Sequence, residues 1–160
     1  MTWRAGFTLN GRAVEAEVAD DELLCDCLRE RLGQIGTRVG CREGICGSCT
    51  VLLDGAPVRS CLLLAAQVSG REVTTVEGLD SGGQLSALQR AFVDHGAVQC
   101  GFCTAGLLVS ATALLRRTPS PSDGQVVEAL AGNLCRCTGY TKVVAAVRAA
   151  ASSGRRDQEG

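Results

Sequence analysis

Aromatic residues are scarce in this 160-residue chain, at 3% of the total, so its core must be aliphatic, built from Leu, Val and Ala. It has a single histidine, His95, and shows no Ser-His-Asp set, carboxylate pair or phosphate loop, so substrate chemistry is not expected on this chain. No excess of positive charge exists either. The net charge is -1 and the pI about 5.8, which excludes the basic field that nucleic acid or an anionic membrane would require. Long apolar runs are also missing. The longest, Ala105 to Leu115, is broken by Ser110 and Thr112 and falls short of the roughly 20 residues a spanning helix needs. Met1-Thr2-Trp3-Arg4 opens directly into an alternating pattern, without the apolar stretch and cleavage site of a secretory leader. A soluble, cytoplasmic protein of one domain or two small ones is expected.

What the chain has in plenty is cysteine and glycine, ten and twenty residues respectively. In a cytoplasmic protein, grouped cysteines point to metal ligands rather than disulfides. Eight of the ten fall into two groups of four: Cys41, Cys46, Cys49 and Cys61, then Cys100, Cys103, Cys135 and Cys137. Each half of the chain is organised around one group.

Residues 1–18 alternate with a period of two, Trp3, Ala5, Phe7 and Leu9 on one face, and Asn10-Gly11 is a type I′ turn signal. Asp20 to Leu32 reads as a helix, capped by Asp20 or Asp21 and apolar at Leu24, Cys27, Leu28 and Leu32. Cys27 on that stripe and Cys25 beside it read as buried free thiols. Residues 33–50 form a long loop punctuated by glycines, and a loop of such length in a compact domain is usually functional. Strands are expected at Thr50–Leu53, at Val58–Ser60 after the Asp54-Gly55 turn, and at Arg71–Val76. A small mixed sheet crossed by one helix fits residues 1–77.

After Gly78 the period becomes helical. Leu85, Leu88 and Phe92 mark one helix, closed by His95-Gly96. Phe102 to Leu115 marks a buried one that Pro119 stops. A third starts at Ser120-Pro121 with Val126, Val127 and Leu130, and a fourth runs from Thr141 to Ala151. Four helices of this length suggest a compact bundle. The expected division is 1–78, 79–151 and a frayed polar tail at 152–160.

The first group, C-x4-C-x2-C with Cys61 downstream, has the spacing of a plant-type [2Fe–2S] site. Gly40, Gly44 and Gly47 would let the loop wrap an anionic cluster closely, with backbone N–H groups aimed at sulfur. A four-thiolate zinc site is the alternative, but zinc usually takes two short knuckles rather than three ligands from one loop. For the second group, C-x2-C plus C-x-C, the spacing alone leaves zinc and iron–sulfur both open.

Three segments carry a resemblance: VGCREGICGSCTVLLDG (39–55), QCGFCTAG (99–106) and GNLCRCTGY (132–140). Together they resemble the iron–sulfur subunit of the xanthine oxidase, or molybdenum hydroxylase, family, over about residues 3–150. The resemblance implies an α+β chain: a β-grasp plant-type ferredoxin domain followed by a four-helix bundle, each holding one [2Fe–2S] cluster on its own group of four cysteines. It implies partners as well: a large subunit with molybdopterin, in its cytosine dinucleotide form, and an FAD-binding medium subunit, in a heterotrimer or its dimer. Electrons would pass from the molybdopterin centre, where substrate is hydroxylated with water, to FAD or another acceptor. Gln99 matches the glutamine that hydrogen-bonds the pterin.

Two positions depart from the family pattern. Ala105 stands where Pro is frequent at a helix start, and Ser48 where Ala is frequent, with a hydroxyl able to add a hydrogen bond near sulfur. Neither removes a ligand. His95 reads as a helix-end residue, Tyr140 as a packing anchor for the last helix, and Arg136 as either a surface residue or a charge partner. A free-standing ferredoxin-like carrier would need only the first half. A zinc- or disulfide-stabilised binding module is the alternative outside redox chemistry.

Overall fold

Asn10 and Gly11 take the positive φ values, 50° and 78°, that a type I′ turn demands. The turn folds Thr2–Leu9 (β1) back onto Arg12–Ala19 (β2) in antiparallel register. The structure, a computed structural model, describes residues 2–80 and 82–156. A second two-residue turn, Asp54-Gly55 with φ 49° and 81°, joins Thr50–Leu53 (β3) to Ala56–Arg59 (β4). Glu72–Thr74 (β5) runs parallel to β1 and antiparallel to β3, giving a mixed sheet in the order β2-β1-β5-β3-β4. β4 therefore lies at an edge, where Pro57 costs no ladder bond on its open side. It starts earlier than expected, at Ala56, because the Asp54-Gly55 turn leaves no residues unpaired.

Ala5, Phe7, Leu9, Ala16 and Val18 are buried as the alternation requires, but Trp3 is 54% exposed. Its indole Nε1 donates to Asp20 Oδ1 at 2.8 Å. The helix expected over Asp20–Leu32 is shorter and wound differently. Leu24–Asp26 (α1) passes straight into a π-helical turn at Cys27–Arg31. Its N-cap is Leu23, with no side-chain cap, rather than either aspartate. The preceding residues are held extended by a distant segment: Leu24 N–H donates to Leu63 C=O and Ala65 N–H to Glu22 C=O, each at 2.8 Å. Tertiary pairing overrides the local capping preference. α1 and its π turn still bury Leu24, Cys27 and Leu28, which pack with Phe7, Val51, Leu53, Val68 and Val73.

The second half contributes Ala87–Asp94 (α2), Thr104–Arg117 (α3), Asp123–Leu130 (α4) and Thr141–Arg156 (α5). α2 begins on a capping box between Ser86 and Gln89, so Leu85 precedes it and is 49% exposed. α4 begins likewise on Ser122 and Gln125 rather than at Ser120-Pro121, because only Ser122 has a glutamine three residues on. α5 continues past Ala151 to Arg156. The hydroxyls of Ser152 and Ser153 donate to the carbonyls of Arg148 and Ala149, both at 3.1 Å, so the polar residues satisfy themselves within the helix. The rest of the expected tail, 157–160, lies outside the described residues. No helix among the described residues is long and apolar enough to cross a membrane.

α3 is the centre of this half. Leu107, Val109 and Leu114 pack with Phe92, Val126, Leu130, Val143 and Val147, and Leu52 of β3 joins the same core. The sheet and the helices thus share one apolar wall along β3 and α3.

Candidate metal centres

The first four-cysteine group is laid out by a loop with little regular structure between Leu32 and Thr50. Its path depends on close backbone approaches. Gly47 has φ +74°, and a Cβ there would fall 2.2 Å from the Gly132 carbonyl oxygen. A Cβ on Gly40 would lie 3.1 Å from Cys46 Sγ and 3.4 Å from the Phe102 ring. Arg42, itself in the left-handed region at φ 58°, is held by two 2.8 Å bonds from its guanidinium to the Asp26 carboxylate. Cys49 leads into β3, and Cys61 sits in the 3₁₀ turn Ser60–Leu62 that follows β4. Cys41 and Cys46 are half-buried, Cys49 and Cys61 buried.

The loop points donors at sulfur. The N–H groups of Glu43 and Cys46 each reach Cys41 Sγ at 3.4 Å. The Cys46 and Glu43 amides lower the Cys41 thiol to about 6, favouring the thiolate that ligates metal. Burial, aided by Cys49, pushes Cys61 up to about 11.

The second group gathers at the N-terminal end of α3 and the turn before α5. Cys103 is the N-cap of α3, reached through Gly101 at φ +81°. Burial drives its thiol up to about 12. Cys135 is half-buried, and burial works to raise its thiol. The Thr138 hydroxyl at 3.0 Å and amide at 3.4 Å outweigh that effect and bring it below the ordinary value. Cys100 and Cys137 are exposed, with their sulfurs 3.6 Å apart. The Phe102 amide, with Cys137, lowers the Cys100 thiol, while Cys100 raises that of Cys137.

Within each group the thiols act on one another: the sulfurs of Cys100 and Cys137 are 3.6 Å apart, and Cys46, Cys49 and Cys135 act on the thiols of Cys41, Cys61 and Cys103 respectively. A lone tetrahedral zinc would draw four donors round a single point. A two-iron cluster asks instead for two thiolates on each iron. The donor set, the amides directed at Cys41 and Cys135, and the space kept open at Gly40 all fit such a group.

Between the two groups runs a polar seam that sequence reasoning missed. Asn133 is 1% exposed; its Nδ2 donates to Gly47 C=O at 2.9 Å and Thr50 Oγ1 at 3.1 Å, and its Oδ1 accepts from Ser110 Oγ at 2.7 Å. Arg59 donates to Thr50 Oγ1 at 2.8 Å and to Gly132 C=O at 2.6 Å. Tyr140, at φ 66°, is more than a packing anchor: its hydroxyl accepts from Cys135 N–H at 2.7 Å and donates to Asn133 C=O at 3.0 Å. The only sequence signal for these residues was their position inside the G-N-L-C-R-C-T-G-Y stretch or beside a ligand.

Gln99 is exposed, and its Nε2 donates to Cys137 C=O at 3.1 Å, so it stands on the second group. Arg136 and Ser48 line one cavity of about 420 Å³ together with Cys41, Cys46, Cys100, Cys103, Cys135 and Cys137. Ala105 is the second residue of α3. His95 lies apart as the exposed C-cap of α2. Cys25 is buried against Cys49 and Cys61, where burial raises its thiol to about 12. Cys27 lies in the sheet core, raised by burial to about 11.

The 2Fe-2S iron-sulfur cluster binding domain family matches residues 7–86, and the [2Fe-2S] binding domain family matches residues 75–148. The chain is 57% identical over 139 residues to the nicotine 6-hydroxylase small subunit of Paenarthrobacter nicotinovorans, covering 87% of this chain and 84% of that one. It superposes on a chain of quinoline 2-oxidoreductase from Pseudomonas putida 86 with a TM-score of 0.93 and 49% identity, covering 97% of each. It also matches the aldehyde oxidoreductase of Desulfovibrio desulfuricans, at 43% identity and a TM-score of 0.92, covering 96% of this chain but 17% of that much longer one. The fold and the sequence are thus those of an oxidoreductase iron–sulfur subunit, and the chain belongs to the small [2Fe–2S] subunits of the xanthine oxidase family of molybdenum hydroxylases.

Proposed function

We propose that this chain is a two-cluster electron-transfer subunit, conveying reducing equivalents from a molybdopterin centre on a large partner to an FAD-binding subunit or other acceptor. Cys41, Cys46, Cys49 and Cys61 would hold one [2Fe–2S] cluster, and Cys100, Cys103, Cys135 and Cys137 the other. The observation that carries this reading is the gathering of cysteines from both groups round one cavity, with the Glu43 and Cys46 amides directed at Cys41, Thr138 at Cys135, and the Cys100 and Cys137 sulfurs 3.6 Å apart. A bound [2Fe–2S] cluster supplies a one-electron site, and two in series suit the two-electron oxidation of a substrate on the partner. The protein's part is to fix the ligands, direct amides at sulfur and keep water from Cys49, Cys61 and Cys103, which are 2%, 3% and 8% exposed.

The exposed flank of the second group supports its orientation. Cys100, Cys137 and Gln99 lie at the surface, so Gln99, anchored to Cys137, would present its free amide oxygen to a molybdopterin cytosine dinucleotide held by the large subunit. The first group, in the β-grasp unit 1–78, would then face the acceptor, with 79–151 as a four-helix bundle. The proposed setting is a cytoplasmic heterotrimer or its dimer. The names of the nicotine 6-hydroxylase and quinoline 2-oxidoreductase relatives favour an N-heteroaromatic substrate on the partner.

A visible spectrum with iron and labile-sulfide assays tests the reading. A red-brown protein bleached by dithionite, with two distinct reduced signals by electron paramagnetic resonance (EPR), is expected. A colourless protein without sulfide would restore the zinc alternative, and a single signal would show the second group misassigned.

A further inference from the structure

The described basic side chains divide cleanly by environment. Arg29 and Arg59 are the two that are not exposed. Arg29 lies 3.9 Å from the Glu30 carboxylate, whereas no carboxylate lies within ion-pair distance of Arg59 among the described residues. Neutral oxygens hold Arg59 instead: Thr50 Oγ1 at 2.8 Å and the Gly132 carbonyl at 2.6 Å. A half-buried guanidinium held only by neutral acceptors forgoes much hydration, and such charges are normally compensated. Its position indicates the compensation. Thr50 adjoins Cys49, Arg59 is two residues before Cys61 and pairs with Thr50 across β3 and β4, and Gly132 precedes Cys135 by three.

We propose that Arg59 is the countercharge of the iron–sulfur centre on Cys41, Cys46, Cys49 and Cys61, raising that centre's tendency to accept an electron. The proposal rests on the iron–sulfur reading above. A [2Fe–2S] group with four thiolates is anionic, and one-electron reduction adds a further negative charge to it. A fixed positive charge in a half-buried setting stabilises the reduced form more than the oxidised one, so it raises the potential. Arginine suits the position because its planar fork reaches two acceptors on separate segments and its charge is permanent. It is a positioning and tuning residue, not a ligand.

The test is EPR-monitored redox titration of the assembled holoenzyme with dithionite, comparing wild type, Arg59→Gln and Arg59→Lys. Arg59→Gln keeps donors but loses the charge. It should shift the reduction equilibrium of the first-group cluster at least tenfold toward the oxidised form, a drop of about 59 mV for one electron, with a smaller shift at the other cluster. Arg59→Lys keeps the charge, loses the two-point clasp, and should stay within threefold of wild type. Equal shifts in both variants, no shift in either, or a shift confined to the second cluster would overturn the assignment. If Arg59→Gln fails to assemble, Arg59→His supplies the test: its first-cluster potential should rise as pH falls through the imidazole range near 6.5, and a profile parallel to wild type overturns the proposal. Absence of iron from the wild-type protein would instead sink the iron–sulfur reading itself.

Discussion

The amide of Leu134 donates to the carbonyl of Cys46 at 2.8 Å, tying a residue beside one four-cysteine group to a member of the other. That bond lies within the Asn133 seam, so the ligand loop 41–49 and the turn carrying Cys135 and Cys137 are built as one piece. The relative placement of the two groups is therefore set by short-range hydrogen bonds and not by a flexible linker. Electron exchange between sites depends on a fixed separation, and a buried, fully satisfied network is the means by which a fold supplies one.

Asn133→Ala should show how much of this piece depends on one side chain. It removes three hydrogen bonds and leaves Ser110 Oγ buried beside an empty space. At about 1 kcal/mol per net bond, with a further penalty for unsatisfied groups, the loss should be about 3 kcal/mol. Thermal unfolding of the holoprotein measures it, and a change below about 0.5 kcal/mol, the level of an ordinary surface substitution, would show that the seam contributes nothing.

Gly47→Ala should be worse than any other glycine change in the loop. The added Cβ meets backbone, the Gly132 oxygen at 2.2 Å, on a residue already at φ +74°, so neither side can yield by rotating a side chain. Failure to load the first cluster is expected. Gly55→Ala is the control: its φ is +81°, but nothing lies within 4 Å of the new atom. Its cost should be about 1–2 kcal/mol of backbone strain with the cluster intact. Iron content of the two variants discriminates, and equal content would refute the steric account.

The local features of this fold were legible in the sequence, and the long-range ones were not. Asn10-Gly11 and Asp54-Gly55 announced two hairpins because only a few residues tolerate both positive φ values, and the cysteine spacing separated two groups before any contact was known. Asp20 and Ser120 looked like helix caps but were outcompeted, the first by pairing of Glu22 and Leu24 with Leu63 and Ala65, the second by the capping box at Ser122. Asn133 and Arg59 could not be found from periodicity, because each has a partner far along the chain, 86 positions away for Asn133 and 73 for Arg59. The approach of the Cys100 and Cys137 sulfurs is likewise a property of the folded loops, invisible in spacing.

The Glu22–Arg31 pair gives a pH-dependent prediction away from both centres. The bond from Arg31 holds the Glu22 carboxyl below its ordinary value, assisted by the Ala19 amide and opposed by burial. A depressed carboxylate pKa contributes stability above the unfolded value, and that contribution is lost as pH falls through the folded one. The difference in melting temperature between wild type and Glu22→Gln should therefore be present at pH 7 and close below about pH 4, where glutamate protonates. A difference independent of pH would mean that shape, not charge, sets the effect.

Cys137→Ser separates the two centres. Cys137 pairs with Cys100 at the exposed edge of the second group and makes no contact with Cys41, Cys46, Cys49 or Cys61 among the bonds that join the two halves. In the proposed site, loss of its thiolate would leave one iron with a single cysteine thiolate besides its bridging sulfides, so the second cluster should fail to assemble, and iron and labile sulfide per chain should fall by about half, since each cluster would carry equal numbers of both. The first-group EPR signal should persist, because the seam that shapes its loop runs through Asn133, Arg59 and Leu134 and does not involve the Cys137 side chain. Loss of both signals together would mean that the first cluster forms only on a protein already holding the second, so that loading is ordered from the helical half toward the sheet.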